Sequence, residues 1–168
     1  MTDRQIEFHS KFGTIYICAN ENGVSYLGWE DQEYDGPHYE DDKRIAKYLN
    51  EAHDQLEEYF AGSRKKFSIP LSINKGTDFQ KQVWAQLLDI PYGEVTTYSD
   101  IAQKVGSPNA VQAVGSANAK NPICLIIPCH RVIAKSGELS GYVAGADIKE
   151  ALLNHEGGMW TLFDNSMT

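Results

Sequence analysis

The sequence predicts an α+β fold, with a small N-terminal antiparallel sheet and one helix, then a mainly helical part that contains a helix-turn-helix. Three observations support this prediction. Residues 5–9, 14–19 and 24–29 show strand-like alternation or β-branched and aromatic content, and Asn22-Gly23 is typical of a hairpin turn. Residues 43–60 repeat apolar side chains at helical spacing. From Thr77 onward, helix start and stop signals recur.

The N-terminal elements follow in order. Residues 30–42 are dense in acids and predict a solvated loop before the helix at 43–60, which Gly62 ends. Residues 67–71 predict a short strand, and Pro70 favours an edge position. Residues 72–76 predict a linker. The stripe of the helix consists of Ile45, Tyr48, Leu49, Ala52, Leu56, Tyr59 and Phe60.

The next helix begins at a capping box formed by Thr77 and Gln80. The turn residues Pro91-Tyr92-Gly93 end it. We therefore expect a domain boundary between residues 1–76 and 77–168. The buried stripe of this helix is predicted to be Phe79, Val83, Trp84, Leu87 and Leu88.

The sequence pattern of two further short helices is typical of a helix-turn-helix. Thr97 and Asp100 suggest a capping box for the first, and Gly106 ends it. Ser107-Pro108 predicts the start of the second, with Ser as N-cap and Pro at the first helical position. By themselves these signals favour an ordinary helical hairpin in a core, because short helix pairs are common. The face expected to be exposed is small and polar, and consists of Asn109, Gln112, Ala113, Ser116 and Lys120, with Val111 and Val114 on another face.

The composition of the chain limits which functions are possible. The 168 residues contain no apolar run long enough to span a membrane and no signal-peptide pattern, so we expect a cytoplasmic protein. Cys18, Cys124 and Cys129 lack metal-ligand spacing, which predicts reduced thiols and no metal site. The net charge of −8 argues against a nucleic-acid partner, but residues 101–137 contain four basic side chains and no acidic one. One face can therefore be locally positive.

The most reactive motif is Cys129-His130, which lies between the apolar pairs at 126–127 and 132–133. A thiol has a pKa of about 8.5 and reacts as the thiolate, and a neighbouring His can accept its proton. Adjacent side chains of an extended segment point apart, so the dipeptide alone does not establish contact. A carboxylate that orients the His completes such a relay. The candidates are Glu156, Glu138, Asp147 and Glu150.

The wider context of this motif carries a family resemblance. Pro128-Cys129-His130-Arg131-Val132, preceded by Asn121-Pro122, resembles the O6-alkylguanine-DNA alkyltransferases, also called methylated-DNA–protein-cysteine methyltransferases. The resemblance runs from about Thr77 to Gly157, and residues 1–76 look like the family's more variable N-terminal domain. It also includes Pro91-Tyr92-Gly93, Thr97-Tyr98, Ala113-Val114-Gly115, Gly141-Tyr142 and Leu152-Leu153-Asn154-His155-Glu156-Gly157.

The resemblance implies DNA repair. The alkyl group of O6-alkylguanine, and of O4-alkylthymine, would move to Cys129 and inactivate the protein irreversibly. His130 would act through a water as the base, and Glu156 would complete the relay. Asn121 would brace the helix-turn-helix against the active-site loop, and Tyr98 would protonate or hydrogen-bond the leaving guanine. No cofactor or metal is implied, and we expect a monomer that acts on double-stranded DNA.

The resemblance also implies how DNA binds. The second helix of the pair would enter the minor groove, with small residues such as Gly115 and Ala117 allowing a close approach, and the damaged base would be flipped out of the stack. The backbone carbonyls of Cys129 and Val132 would contact the exocyclic amine of guanine. The expected substrate- and DNA-binding residues are Gln112, Ala113, Ser116, Tyr142, Val143, Val132 and Arg131.

Three positions depart from the family pattern. Gln112 stands where relatives usually have the Arg that fills the gap left by the flipped base, so we expect weaker duplex binding or slower flipping. Val143-Ala144 follow Tyr142 where many relatives have smaller or more polar residues, which predicts a narrower pocket rim. The N-terminal zinc site of some relatives has no matching Cys and His spacing here.

Three other functions compete with repair. Non-catalytic alkyltransferase-like damage binders replace the motif Cys, which is present here as Cys129. A helix-turn-helix transcription regulator would carry more base-reading side chains than this small-residue helix offers. A thiol hydrolase or acyltransferase would use Cys129 and His130, but no other sign of a peptide or acyl site is found.

Overall fold

The computed structural model describes residues 3–37, 42–139 and 141–157, and the chain divides into two compact units. One unit comprises Met1–Lys75 with Pro122–Cys124, and the other comprises Gly76–Asn121 with Leu125–Thr168. Among the described residues, the first unit holds a three-stranded sheet and one α-helix, and the second holds four α-helices and a two-stranded sheet. The predicted α+β class is confirmed.

The three predicted strands form an antiparallel sheet of order β1-β2-β3. The strands are β1 (Arg4–Ser10), β2 (Gly13–Asn20) and β3 (Gly23–Gly28). Ile15, Ile17 and Leu27 are almost completely buried on this sheet. Residues 30–37 form neither helix nor strand, in agreement with the predicted acidic loop. The rest of that loop, residues 38–41, lies outside the described residues.

Gly23 has a different role from the one its sequence suggests. The β2–β3 turn is formed by Glu21 and Asn22, and Gly23 already belongs to β3, paired with Asn20. A Cβ atom at Gly23, whose φ is +148°, would lie 2.4 Å from the carbonyl oxygen of Pro70. Glycine is therefore needed here because another segment approaches the backbone closely.

That other segment is the predicted strand at residues 67–71, which is reduced to one parallel bridge between Leu71 and Val24. Val24 N–H donates to Pro70 O at 2.9 Å, and Ser72 N–H donates to Val24 O at 2.7 Å. Pro70 has no N–H to extend the ladder, which explains the shortened element. Residues 122–124 add a similar bridge between Ile123 and Leu27.

The helix predicted at residues 43–60 is α1 (Lys43–Phe60), and it packs against all three strands of the sheet. Asp42 is its N-cap, and the Asp42 side chain accepts a hydrogen bond from Arg44 N–H at 2.8 Å. Capping of this kind satisfies a backbone donor that the helix cannot use. The buried stripe of α1 consists of Ile45, Leu49, Ala52, Leu56 and Tyr59.

The second unit begins with α2 (Asp78–Leu87), whose predicted capping box between Thr77 and Gln80 is present. Trp84 on α2 donates from Nε1 to Ala117 O at 2.8 Å. Leu88 was predicted to be buried but is 48% exposed, because the helix ends at Leu87 and the chain turns there.

The predicted helix pair is formed by α3 (Tyr98–Lys104) and α4 (Val111–Ala119), which pack against each other. Gly106 ends the first as predicted, but the second begins at Val111 and not at Ser107-Pro108. Ala110 N–H donates to Ser107 O at 2.9 Å, so residues 107–110 form a separate turn before the helix.

Two short elements and one helix complete the second unit. The strands β4 (Thr96–Thr97) and β5 (Val132–Ile133) pair in parallel, with Thr96 opposite Val132 and Thr97 opposite Ile133. The helix α5 (Ala146–His155) ends at the C-cap Glu156. The β4–β5 pairing brings the start of α3 next to the chain that follows Cys129. In the part of the chain that the structure describes, no helix is both long and apolar enough to cross a membrane.

Candidate active site

Cys129 opens a 3-10 helix that runs Cys129–Arg131. The motif is therefore helical and not extended. Cys129 N–H donates to Ile127 O at 2.8 Å, and Arg131 N–H donates to Pro128 O at 3.0 Å. Side chains of a 3-10 helix project about 120° apart, so the three motif residues reach different neighbours. Cys129 is 2% exposed and His130 is 0% exposed.

Two asparagines of the second unit hold the backbone around Cys129. Asn121 donates from Nδ2 to Ile127 O at 2.7 Å, which is a contact of the kind expected from its bracing role. Asn118 donates from Nδ2 to Cys129 O at 3.2 Å. Asn118 was not predicted from the sequence, although it lies on the buried stripe of α4 with Val114 and Ala117. A polar residue on such a stripe is a signal that could have identified it.

The carbonyl of Cys129 was expected to contact the exocyclic amine of guanine. It already accepts hydrogen bonds from Asn118 Nδ2 and from the N–H of Val132, the C-cap of the 3-10 helix. Both of its lone pairs therefore have partners. Contact with guanine would require a shared hydrogen bond or the displacement of Asn118.

Glu156 is the carboxylate partner of His130. Its Oε2 lies 2.7 Å from His130 Nε2, and both side chains are fully buried. The competing candidates Glu138, Asp147 and Glu150 make no such contact among the described residues. The Nδ1 atom of His130 is buried and has no hydrogen-bond partner in that part of the chain. The ring therefore offers one nitrogen for proton transfer and uses the other to hold its orientation.

The ionisation of this pair follows from its surroundings. Burial lowers the pKa of His130, and the positive charges of Arg131 and Lys149 lower it further against the opposing effect of Glu156. Burial alone would raise the pKa of Glu156, but hydrogen bonds and charges from His130 and Arg131 outweigh it and hold that pKa far below its usual range. The site thus combines an ionised Glu156 with a neutral His130.

Arg131 was predicted to bind DNA, and the structure places it in the interior instead. Its side chain is 7% exposed and donates to both oxygens of Glu156, from Nε at 2.8 Å and from Nη2 at 3.0 Å. Nη1 donates to Ile90 O at 2.7 Å, and the guanidinium lies 5.7 Å from the ring centre of Tyr92. With its donors engaged inside the protein, Arg131 is not available to phosphates or bases.

Tyr98 begins α3 and contacts a buried lysine. Lys149 is 0% exposed, and its Nζ lies 3.4 Å from the Tyr98 hydroxyl oxygen. Burial lowers the pKa of Lys149 to about 8, and the negative charge of a Cys129 thiolate acts in the opposite direction. Burial raises the pKa of Tyr98, as does the Cys129 charge. These effects place Tyr98, Lys149 and Cys129 in one electrostatic environment.

Lys149 is the second residue that the sequence analysis missed. It lies on the buried stripe of α5 with Leu152 and Leu153, and Glu156 follows at the next helical position. The four residues of this stripe are spaced i, i+3, i+4 and i+7, and the first and last of them are charged. Charged residues on an otherwise apolar stripe are the signal that could have identified Lys149.

The remaining predicted residues divide into exposed and buried groups. Gln112, Ala113 and Ser116 are exposed along α4, whereas Ala117, expected to favour a close approach to DNA, is buried under Trp84. The three exposed residues of α4 lie on a surface that a large partner can contact. Tyr142 is 7% exposed, Val143 is 50% exposed and Val132 is fully buried.

Two family matches cover most of the chain. Residues 6–73 match the ribonuclease-like domain of 6-O-methylguanine DNA methyltransferase, and residues 78–158 match the DNA-binding domain of the same family. A Methanosarcina acetivorans methylated-DNA--protein-cysteine methyltransferase is 46% identical over 89% of this chain and 96% of its own length. The constitutive Bacillus subtilis protein of the same name is 49% identical over 86% of this chain and 89% of its own length.

Solved structures give the same result. The Mycobacterium tuberculosis protein OGT in complex with DNA is 38% identical, with a TM-score of 0.79 over 93% of this chain and 92% of that one. An O6-methylguanine DNA methyltransferase from Methanococcus jannaschii is 31% identical, with a TM-score of 0.64 over 90% and 92% of the two chains. With both halves matched and identities this high over nearly the full length, the chain belongs to the 6-O-methylguanine DNA methyltransferase family.

Proposed function

We propose that the chain repairs DNA by transferring the alkyl group of O6-alkylguanine to Sγ of Cys129, as a methylated-DNA–protein-cysteine methyltransferase. The observation that carries this proposal is the buried relay in which Glu156 holds His130 Nε2 at 2.7 Å and leaves Nδ1 of His130 for proton transfer. O4-alkylthymine presents the same alkyl–oxygen bond and is proposed as a second substrate.

The reaction has a simple balance. The Cys129 thiol gives its proton, through a water, to Nδ1 of His130, and the thiolate attacks the alkyl carbon. The S–C bond forms as the bond between that carbon and O6 breaks, and Tyr98 donates a proton to the departing guanine. His130 then releases its proton to solvent and Tyr98 recovers one, so the thiol proton is replaced by the alkyl group. The product is a stable thioether, which makes the reaction irreversible and the protein single-use.

The proposed DNA contacts lie on α4. The alkyl carbon lies inside the base stack, so the nucleotide must be flipped out at a cost of a few kcal/mol. The exposed side chains of Gln112, Ala113 and Ser116 suit the minor groove, and Tyr142 and Val143 would line the pocket. Gln112 can hydrogen-bond the orphaned base, but it brings no positive charge. Because these α4 side chains are uncharged, we expect few phosphate contacts from them and a moderate dependence of binding on salt.

We assign alkyl transfer and DNA binding to residues 77–168 and treat residues 1–76 as a separate N-terminal domain of a monomeric protein. We also propose a cytoplasmic location. None of the three cysteines, all of which lie in the described part of the chain, forms a disulfide, and reduced thiols, including the reactive one, persist in a reducing compartment.

Intact-mass measurement after incubation with a double-stranded oligonucleotide containing O6-methylguanine tests the proposal. The wild-type protein should gain the mass of one methyl group, located on Cys129, and Cys129→Ala should gain none. Cys124→Ala is the matched control, because Cys124 is also a buried cysteine outside any disulfide, and this variant should still be methylated on Cys129. No gain together with retained DNA binding would instead support a damage binder or a regulator. Modification of Cys129 by a substrate of a different class would support a thiol acyltransferase.

A further inference from the structure

Glu156 is shared between His130 and Arg131. Its Oε2 accepts from His130 Nε2 at 2.7 Å and from Arg131 Nη2 at 3.0 Å, while its Oε1 accepts from Arg131 Nε at 2.8 Å. The backbone N–H of Gly93 lies 3.4 Å from the same Oε1. The carboxylate that orients His130 is thus itself held by a buried cation through two parallel hydrogen bonds.

We propose that Arg131 is a positioning residue for alkyl transfer: by clamping Glu156 and balancing its charge, it keeps His130 neutral, with its proton on Nε2 and its lone pair on Nδ1. The inference rests on the proposed function, because it assumes that His130 is the base. It gives Arg131 a role in the chemistry in place of the DNA contact expected from sequence.

The geometry of Arg131 supports the clamp. Its guanidinium is fixed on a third side by the hydrogen bond from Nη1 to Ile90 O at 2.7 Å and lies over the ring of Tyr92. A planar guanidinium with two donors engaged fixes the plane of the carboxylate it binds. Glu156 therefore cannot rotate away from His130, and Nε2 of the ring remains the donor.

The charge balance is the second argument. The charged and titratable groups that act on His130 are Glu156 and Lys149 from α5 and its neighbour Arg131, all largely buried. A lone buried carboxylate would stabilise the imidazolium. A carboxylate paired with a guanidinium is close to neutral as a unit, and Lys149 adds a further positive charge nearby. His130 is thereby kept ready to accept a proton at neutral pH.

The test is the pH dependence of single-turnover methyl transfer. In Arg131→Met, Glu156 acts on His130 alone, so the acid limb of the profile should move at least one pH unit upward and the rate at pH 7 should fall. Arg131→Lys keeps the positive charge but loses the two parallel hydrogen bonds to Glu156. The acid limb of its pH–rate profile should therefore stay in place, while the maximal rate falls. Arg64→Met, which removes an Arg that pairs with Glu58 at 2.7 Å, should leave the profile unchanged.

A merely structural Arg131 would lower the plateau of both variants without moving the limb, and an unmoved limb in Arg131→Met would overturn the proposal. A second measurement on the wild-type chain covers the case in which that variant does not fold. Nitrogen-15 NMR of the His130 ring should show a neutral Nε2–H tautomer at pH 7. An Nδ1–H tautomer or an imidazolium at that pH would also overturn the proposal. Absence of methylation in the wild-type protein would instead contradict the proposed function.

Discussion

Replacing Glu156 with Gln preserves the shape of this side chain but removes its charge and one of its two acceptors. Four donors point at the carboxylate: Arg131 Nε and Nη2, His130 Nε2 and Gly93 N–H. If the amide oxygen stays with His130, the amide NH2 group faces Arg131 Nε and Gly93 N–H. If the amide is reversed, its NH2 group faces His130, which can accept only in the tautomer with its proton on Nδ1. Either orientation places donors against each other.

The magnitude follows from this conflict. Breaking a buried ion pair by removing one partner costs about 3–5 kcal/mol of stability, because the remaining charge is uncompensated. The reversed amide also places a proton on the nitrogen that should accept one. A comparable amide substitution in a Ser-His-Asp triad lowers kcat about 10⁴-fold. We therefore expect Glu156→Gln to lower the rate of methyl transfer by about 10² to 10⁴.

The assay is single-turnover methyl transfer from an O6-methylguanine duplex, followed by intact mass, together with urea unfolding at pH 7. Glu150→Gln is the matched control, since Glu150 is exposed on the same helix, and both its rate and its stability should equal those of the wild-type protein. A Glu156→Gln protein that transfers methyl within about threefold of the wild-type rate would refute the role assigned to the relay.

Three further predictions concern DNA binding, the pocket and the buried lysine. Gln112→Arg should tighten duplex binding, raise the repair rate and steepen the salt dependence by about one unit of log–log slope; unchanged affinity and rate would contradict this account of Gln112. Methyl should transfer at least about tenfold faster than benzyl, with a smaller difference in Val143→Ala, and equal rates for the two alkyl groups would exclude a narrow rim. Lys149→Met should raise the free energy of unfolding at pH 7 by about 3 kcal/mol, because the pKa of Lys149 falls from 10.5 to about 8 on folding. The same substitution should slow methyl transfer at least about tenfold, because it removes the cation next to the Tyr98 hydroxyl. The folded pKa lies below the unfolded one, so wild-type stability should rise between about pH 8 and 10.5; urea unfolding that shows the same rise in Lys149→Met would exclude Lys149 as its source.

Much of the fold was predictable because its signals are local. The strands were predicted from short-range polar–apolar alternation or β-branched and aromatic content, the stripe of α1 follows from a period of 3.6 residues, and the capping box of α2 spans only four positions. Where local signals compete, the prediction failed. Ser107-Pro108 has the residues of a helix start, yet the 107–110 turn is formed first and α4 begins at Val111.

The chemistry of the site was predictable from the sequence, but the contacts between its side chains were not. The Cys129-His130 pair indicated thiol chemistry, but without the family resemblance four carboxylates remained possible as partners of His130, and only the resemblance selected Glu156. The separation in sequence explains this: His130 and Glu156 lie 26 residues apart, and Arg131 reaches Ile90 across 41 residues. Contacts over such distances depend on how the helices pack, which no local pattern encodes.

The sequence by itself thus determined the order of the elements, the nucleophile and the class of reaction, since periodicity, capping and a contiguous motif are all written along the chain. The tertiary structure supplied the contact between Glu156 and His130, and it alone decided that Arg131 faces inward and that Asn118 and Lys149 belong to the site. Burial is the physical reason. A charged or polar side chain removed from water must find its partners within hydrogen-bond distance, and the packing of the second unit alone determines which partners are there.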